Sequence, residues 1–293
     1  MSTLLTIPPV VSVPHMLQEL ADGVSVRIVD ARCDPVDGSG PGAGRRAWLA
    51  GHLPGAVHLD LDEDLSGPAN PALGRHPLPD PAVLAGTLAS LGLSAHDRIV
   101  IHDAAEGSLA AARAWWLLVQ LGYSRVSVLD GGLAAWLAHG RPLEAGPVQT
   151  SPVRPGNATF RRGGWVDTEE VAQRTAQQTG WLIDARAPLR FAGQHEPIDR
   201  FAGHVPGAVN LPFGNLVASG RLLPPERLRE RIATALGGLD MAGKVVMCGS
   251  GVTACHLLLA FAHAGLEGAR LYPASWSGWS SDPHRPRAME RSP

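Results

Sequence analysis

The chain has 293 residues, 45% of them hydrophobic, with 25 Lys and Arg against 27 Asp and Glu, a net charge of −2. That length and composition suit two ordinary globular domains and exclude a disordered chain, while the near-neutral charge gives no basis for a nucleic-acid partner or an anionic membrane. No apolar run approaches the roughly 20 residues needed to span a bilayer.

Short apolar runs alternate with helical patterns along the whole chain. Helix Pro14–Ala21 precedes a strand at Val26–Asp30 and a second at Ala56–Leu59. Helix Asp80–Leu91 follows, with Asp80 as N-cap, Pro81 as first helical residue and Gly92 as a stop. Strand Ile99–His102, helix Ser108–Leu121 and strand Val126–Leu129 complete the first half. Residues 147–164, PVQTSPVRPGNATFRRGG, lack periodicity and read as a linker. The second half then reads as helix Thr168–Gln178, strands Trp181–Asp184 and Ala208–Leu211, helix Pro225–Leu236, strand Lys244–Met247, helix Val252–Ala264 and strand Leu271–Tyr272. Strands alternating with helices predict an α/β fold, each half a mainly parallel sheet covered by helices.

The two halves are copies of one domain. Ile-Val-Asp-Ala-Arg (28–32) is answered by Leu-Ile-Asp-Ala-Arg (182–186), GHLPGAVHL (51–59) by GHVPGAVNL (203–211), RIVIHD (98–103) by KVVMCG (244–249), and LDGGLAAW (129–136) by YPASWSGW (272–279). The expected organisation is a domain over 1–146, a linker over 147–164 and a second domain over 165–293. A feature present in both copies is assigned to the scaffold. Asp30/Arg32 and Asp184/Arg186 therefore read as structural ion pairs at strand ends, and His52 and His204 as buried hydrogen-bonding residues.

Cys248 occurs in one copy only, and its counterpart in the first half is Asp103. It follows a strand and opens Cys-Gly-Ser-Gly-Val-Thr before a helix. The first helical turn carries unpaired N–H groups and partial positive charge, and Gly249 and Gly251 let the loop curl so that N–H groups face one centre. Such a cradle stabilises a thiolate nucleophile, and equally a Cys–S–S⁻ persulfide. Cys255, inside the helix, reads as a core thiol, and Cys33 has no such cradle. Three cysteines are too few for a disulfide framework. Met1 to Val13 has neither the basic region of a signal peptide nor the arginines of a transit peptide, so a reducing cytoplasm is expected. Cys248, Cys255 and His256 match no common metal-ligand spacing, and neither metal nor organic cofactor is implied.

With CGSGVTA (248–254), the two GHxPGA segments and the tryptophans of YPASWSGW, the chain resembles a tandem-domain rhodanese over nearly its whole length. The resemblance implies an inactive first domain and a catalytic second one. CGSGVTA is similar to the loop of 3-mercaptopyruvate sulfurtransferases, which implies Cys248 as sulfur carrier and Ser250, His76 and Asp62 as a proton relay. It also implies loop contacts to substrate from Gly249, Gly251, Val252 and Thr253, and substrate binding by Arg190. A second substrate arginine belongs in a Glu-Pro-Arg context, where this chain has Glu196-Pro197-Ile198-Asp199; Arg200 is the nearest replacement. Ala274 stands where the family usually has glycine.

The implied activity is transfer of sulfur from 3-mercaptopyruvate or thiosulfate to cyanide, a thiol or thioredoxin, with no nucleic-acid or membrane partner. Two other functions compete. A cysteine phosphatase or arsenate reductase needs an arginine six residues after the cysteine, where this chain has Ala254. A non-catalytic binding module would not require Cys248 in its glycine loop.

Overall fold

A computed structural model of the chain describes residues 6–33, 42–104 and 110–290. In chain order the first half contains β1 (Val10–Val11), α1 (Val13–Ala21), β2 (Val26–Asp30), α2 (Ala43–Ala50), β3 (Val57–His58), α3 (Pro81–Ser90), β4 (Arg98–His102), α4 (Ala110–Gln120), β5 (Val126–Leu129) and α5 (Gly132–Ala138). Its strands make one parallel sheet in the order β1-β5-β4-β2-β3. The second half contains α6 (Thr168–Thr175), β6 (Leu182–Asp184), α7 (Pro188–Phe191), β7 (Val209–Asn210), β8 (Val217–Ala218), β9 (Arg221–Leu222), α8 (Pro225–Leu236), β10 (Val245–Met247), α9 (Thr253–His263), β11 (Arg270–Leu271) and α10 (Ser275–Ser281). Its parallel sheet runs β11-β10-β6-β7, with a single bridge from Trp165 to Leu271 in the place of the first sheet's edge strand. Strands β8 and β9 form a separate hairpin. No described helix is long and apolar enough to cross a membrane.

Local chemistry accounts for the elements that periodicity predicts. Asp80 accepts hydrogen bonds from Ala82 and Val83 N–H to start α3, and Asp167 does the same for Glu170 N–H in α6. All of β4 is buried, as a central parallel strand must be. Helix α6 stops at Thr175, three residues before the predicted end, because Gln177 and Gln178 turn back onto the Arg174 carbonyl. Helix α5 and helix α10 occupy the repeated segments LDGGLAAW and YPASWSGW. Ser108, the predicted start of α4, lies outside the described residues.

Helices α4 and α9 pack against each other and join the two halves. Every residue of α4 is buried, and most of α9 is apolar on all sides. A helix facing a sheet on one side and another helix on the other has no solvent face, so its sequence loses amphipathic contrast. One continuous core therefore runs from Ile99 and Leu117 in the first half to Val246 and Leu257 in the second. The linker carries no regular element and lies along the first half, with Val153 N–H bonded to Ala89 and Arg161 N–H to Gln120, and reaches the second only at its end, where Gly164 accepts Leu271 N–H.

The duplicated motifs form a duplicated clasp. Arg32 binds Asp30 through Nε and Nη2 and also donates to the Gly51 carbonyl at 2.6 Å. Arg186 binds Asp184 in the same way and donates to Gly203 at 2.8 Å. Asp-Ala-Arg and Gly-His-x-Pro-Gly-Ala are thus two sides of one contact, which ties the end of a sheet strand to the following turn. His52 and His204 are buried, and each ring nitrogen Nδ1 meets a backbone oxygen at 2.8 Å, from Trp48 and Phe191 respectively. Both histidines also stack on those rings. The clasp carboxylates are fully buried, and Arg32 has no second acidic partner among the described residues, so removing Asp30 strands a guanidinium. Asp30→Asn should lower the unfolding free energy by about 3–5 kcal/mol in urea melts monitored by far-UV circular dichroism. A loss below about 1 kcal/mol would contradict the clasp.

Candidate active site

Residues 248–252 connect β10 to α9, and the loop is held from behind by α10. Trp276 N–H donates to the Cys248 carbonyl at 3.0 Å and Ser277 N–H to the Gly249 carbonyl at 2.9 Å. Cys248 N–H donates to Ser275 Oγ at 3.1 Å, and that hydroxyl donates to the Tyr272 carbonyl. Ser275 adopts φ +52, a conformation that costs a residue with a side chain about 1–3 kcal/mol, and its first-half equivalent is Gly132, also at φ +52. The serine accepts that strain and supplies a hydroxyl a glycine lacks. Gly251 has φ +80, and a Cβ there would lie 2.4 Å from the Pro273 carbonyl, so only glycine fits. Its N–H reaches Cys248 Sγ at 3.2 Å. Val252 is packed into the core, and Thr253 is the first residue of α9.

Strand register shows what stands at this place in the first half. Asp30 pairs with His102, whereas Asp184 pairs with Met247. The next residues are Asp103 and Cys248, and each passes its carbonyl to the corresponding helix, Asp103 to Leu133 N–H and Cys248 to Trp276 N–H. The Asp103 carboxylate accepts Ala111 N–H in α4 at 3.1 Å.

The first half reaches this loop through His76, which Asp62 backs. His76 Nδ1 lies 2.8 Å from Ser250 Oγ, and His76 Nε2 lies 3.2 Å from Asp62 Oδ1. The structure therefore brings Ser250, His76 and Asp62 into one line. A carboxylate only accepts, so Nε2 carries the proton and Nδ1 presents its lone pair to the serine hydroxyl. Burial, helped by the Arg113 and Arg75 charges, pushes the His76 pKa down to about 4. The imidazole is neutral at pH 7 and able to take a proton.

Arginines surround the remaining side. Arg190 donates to Glu196 through Nε at 3.1 Å and Nη2 at 2.8 Å, and to Asp199 at 3.3 Å. Glu196 also meets Arg186 of the clasp at 3.4 Å. Arg75, from the loop that carries His76, pairs with the other oxygen of Asp199. Arg200, the nearest replacement in sequence for the second substrate arginine, is exposed and lies over Phe201, 5.2 Å from its centroid. Chain direction turns it outward once Asp199 points in. Arg75 and Arg113 escape the sequence reading because nothing local marks them. Arg113 is fully buried in α4 and donates to the carbonyls of Leu65, His76, Pro77 and Gly251 at 3.1–3.4 Å.

The other thiols are poor nucleophiles. Burial pushes Cys255 up to about 12, and its thiol donates to the Gly251 carbonyl. Burial, then the Asp103 charge, pushes Cys33 up to about 11. An apolar cavity of about 570 Å³, lined by Trp115, Trp116, Gln120, Phe261 and Leu266, lies at the far ends of α4 and α9 and shares no residue with the site.

The sequence profile of the rhodanese-like domain matches residues 13–139 and 167–282. The chain belongs to the rhodanese family. A probable 3-mercaptopyruvate sulfurtransferase of Pseudomonas aeruginosa is 46% identical over 253 residues, which cover 85% of this chain and 88% of that one. A putative thiosulfate sulfurtransferase, SseB, of Mycobacterium tuberculosis is 42% identical over 92% of both chains. Among solved structures, the 3-mercaptopyruvate sulfotransferase SseA of Escherichia coli superposes with a TM-score of 0.79 at 32% identity, covering 92% of this chain and 99% of the other. This rhodanese is accordingly an enzyme of the sulfurtransferase class.

The neutral state of His76 has a measurable consequence. Its pKa is lower in the fold than the ordinary 6.5 of an exposed imidazole. Its contribution to stability is therefore complete above pH 6.5 and is lost as pH falls toward 4. In an NMR titration, the imidazole signal that disappears in His76→Asn should show no protonation above pH 5. A midpoint near 6.5 would contradict the arrangement.

Proposed function

We propose that this rhodanese transfers sulfur from 3-mercaptopyruvate through a persulfide on Cys248, with the second domain (165–293) catalytic and the first (1–146) a scaffold that lends His76 and Asp62. The observation that carries the reading is the contact from Ser250 Oγ to His76 Nδ1 at 2.8 Å, made across 174 residues of sequence. A donor whose sulfur is a thiol has a proton to lose before or as that sulfur is attacked; thiosulfate has none. A serine backed by a neutral imidazole and a carboxylate serves the first donor and is superfluous for the second.

The step balances as follows. Ser250 takes the thiol proton of the donor and passes its own to His76 Nδ1, while Asp62 holds Nε2–H. The Cys248 thiolate forms an S–S bond to the donor sulfur. The donor C–S bond breaks, and its electron pair leaves on carbon as the pyruvate enolate. The proton returns to that carbon, giving pyruvate and Cys248–S–S⁻. Gly251 N–H donates to the sulfur and favours its anionic form. In the second half-reaction cyanide, a thiol or thioredoxin attacks the outer sulfur, and Cys248 leaves as thiolate. No metal or organic group is required. The cytoplasm is the proposed location, where a reducing medium keeps the thiols reduced.

Local charge also favours a monoanionic donor. Arg75, Arg186 and Arg190 are matched by Asp184, Glu196 and Asp199, so this cluster offers a dianion no net excess of positive charge. The M. tuberculosis relative named for thiosulfate supports that donor as the alternative.

Mass spectrometry after brief exposure to 3-mercaptopyruvate should find one extra sulfur on Cys248 and none on Cys33 or Cys255, whose thiols stay protonated at neutral pH. Sulfur on either other cysteine, or none on Cys248, defeats the proposal. Ser250→Ala should reduce kcat/KM for 3-mercaptopyruvate about a hundredfold or more while leaving thiosulfate turnover within a fewfold. Equal losses with both donors would assign the serine to loop structure instead.

A further inference from the structure

The cavity at the far ends of α4 and α9 is built from elements of both halves. Each helix lends it one face at spacings i, i+3 and i+4: Trp116, Val119 and Gln120 from α4, and Leu258, Phe261 and Ala262 from α9. Linker residues 161–164 close one side and are pinned at both ends. Arg161 N–H donates to the Gln120 carbonyl at 3.0 Å, and the Gly164 carbonyl accepts Leu271 N–H at 3.0 Å. The wall is therefore part of the fold. At about 570 Å³ the cavity falls within the range of small-molecule sites, about 300–1,000 Å³.

Two buried polar groups of its lining have no partner among the described residues. Trp115 is 4% exposed and its Nε1–H meets no acceptor; Gln120 is 7% exposed and its Oε1 meets no donor. Buried polar groups are paired as a rule, so each of these is left for whatever fills the space. Gly164 keeps the amide open to the cavity: a Cβ there would lie 2.3 Å from Gln120 Oε1. Trp115 and Gln120 are five residues apart in one helix, a separation of about 7.5 Å along its axis. Two polar ends of a ligand must be spaced by a comparable length to meet both.

Charge at the mouth sets the sign of one end. Arg161, Arg162 and Glu267 are exposed residues of the lining, with Arg270 half-buried beside them. Glu170 neutralises Arg270, whereas Arg161 and Arg162 have no acidic partner among the described residues. Those two cations against Glu267 leave one positive charge over. Trp115, Trp116 and Phe261 supply aromatic walls between the ends. We propose that this cavity is a second ligand site, for a two-ring aromatic monocarboxylate with a hydroxyl at its far end. The carboxylate meets Arg161 and Arg162, whose forked donors suit it, and the Gln120 amide turns its NH₂ toward the same group. The hydroxyl oxygen accepts from Trp115 Nε1–H, and the rings lie against Trp116 and Phe261.

The probe is 6-hydroxy-2-naphthoate, titrated into the full chain at pH 7 by calorimetry. Saturable binding at one site per chain is expected, whichever sulfur donor the enzyme uses. Arg161→Ala/Arg162→Ala should weaken it about tenfold or more, the worth of a charge-assisted contact. Both residues are exposed, so the thermal midpoint and sulfur transfer of that variant should match wild type. Trp115→Phe keeps an aromatic ring without the N–H and should weaken binding about threefold or more. 2-Naphthol lacks the carboxylate; it should bind wild type about tenfold more weakly than the probe and should not distinguish wild type from the double variant. Absence of saturable heat with wild type overturns the site, as does equal probe binding by wild type and Arg161→Ala/Arg162→Ala. A greater loss in Arg190→Ala than in that double variant would place the probe beside Cys248, and overturns it too.

Discussion

One buried cation fixes the relation between the halves. Arg113 lies in α4, fully enclosed, with no acidic partner among the described residues. A guanidinium removed from water must be compensated by dipoles or charge. Here the compensation comes from four backbone carbonyls: Leu65, His76 and Pro77 on the first-half loop, and Gly251 on the nucleophile loop. Those carbonyls cannot turn elsewhere without exposing the charge. The segment bearing His76 and the loop bearing Cys248 are therefore locked to one atom group, and Ser250 meets His76 as a consequence. Gly251 receives at its carbonyl and donates at its N–H to sulfur, so the lock ends on Cys248 Sγ.

Duplication explains why such a lock was available. Each copy closes the end of its sheet with the same Asp–Arg–Gly clasp, and each presents a strand-to-helix loop beside it. Packing α4 on α9 joins the two copies across the seam. Only one loop needs to carry a nucleophile; the other is free to hold Asp103 and to stabilise a helix start. The first half still reaches the Cys248 loop, through His76 in the loop before α3.

Charge spreads outward from the second clasp in an alternating line: Asp184, Arg186, Glu196, Arg190, Asp199, Arg75. Each carboxylate after the first serves two arginines. Such an array orders several long side chains around the site at once and leaves its outermost cation partly open to solvent.

The sequence alone determined the features that depend on near neighbours. Periodicity and capping placed Pro225–Leu236, Val26–Asp30 and Val126–Leu129 at their observed limits, since a few adjacent side chains decide those elements. The glycine loop around Cys248 and the repeat were legible for the same reason. Short helices such as α2 and α10 were not, because one or two turns rich in Gly, Ser or Trp form only when packed. His76 and Asp62 were named through family resemblance, not from any local pattern. Arg75 was invisible, its partner Asp199 lying 124 residues away. A long-range ion pair leaves no periodic trace in a chain; it exists only when two folded loops arrive at the same point. Tertiary structure alone decided that Asp199 is paired across the seam with Arg75, while Arg200, its neighbour in sequence, lies exposed over Phe201.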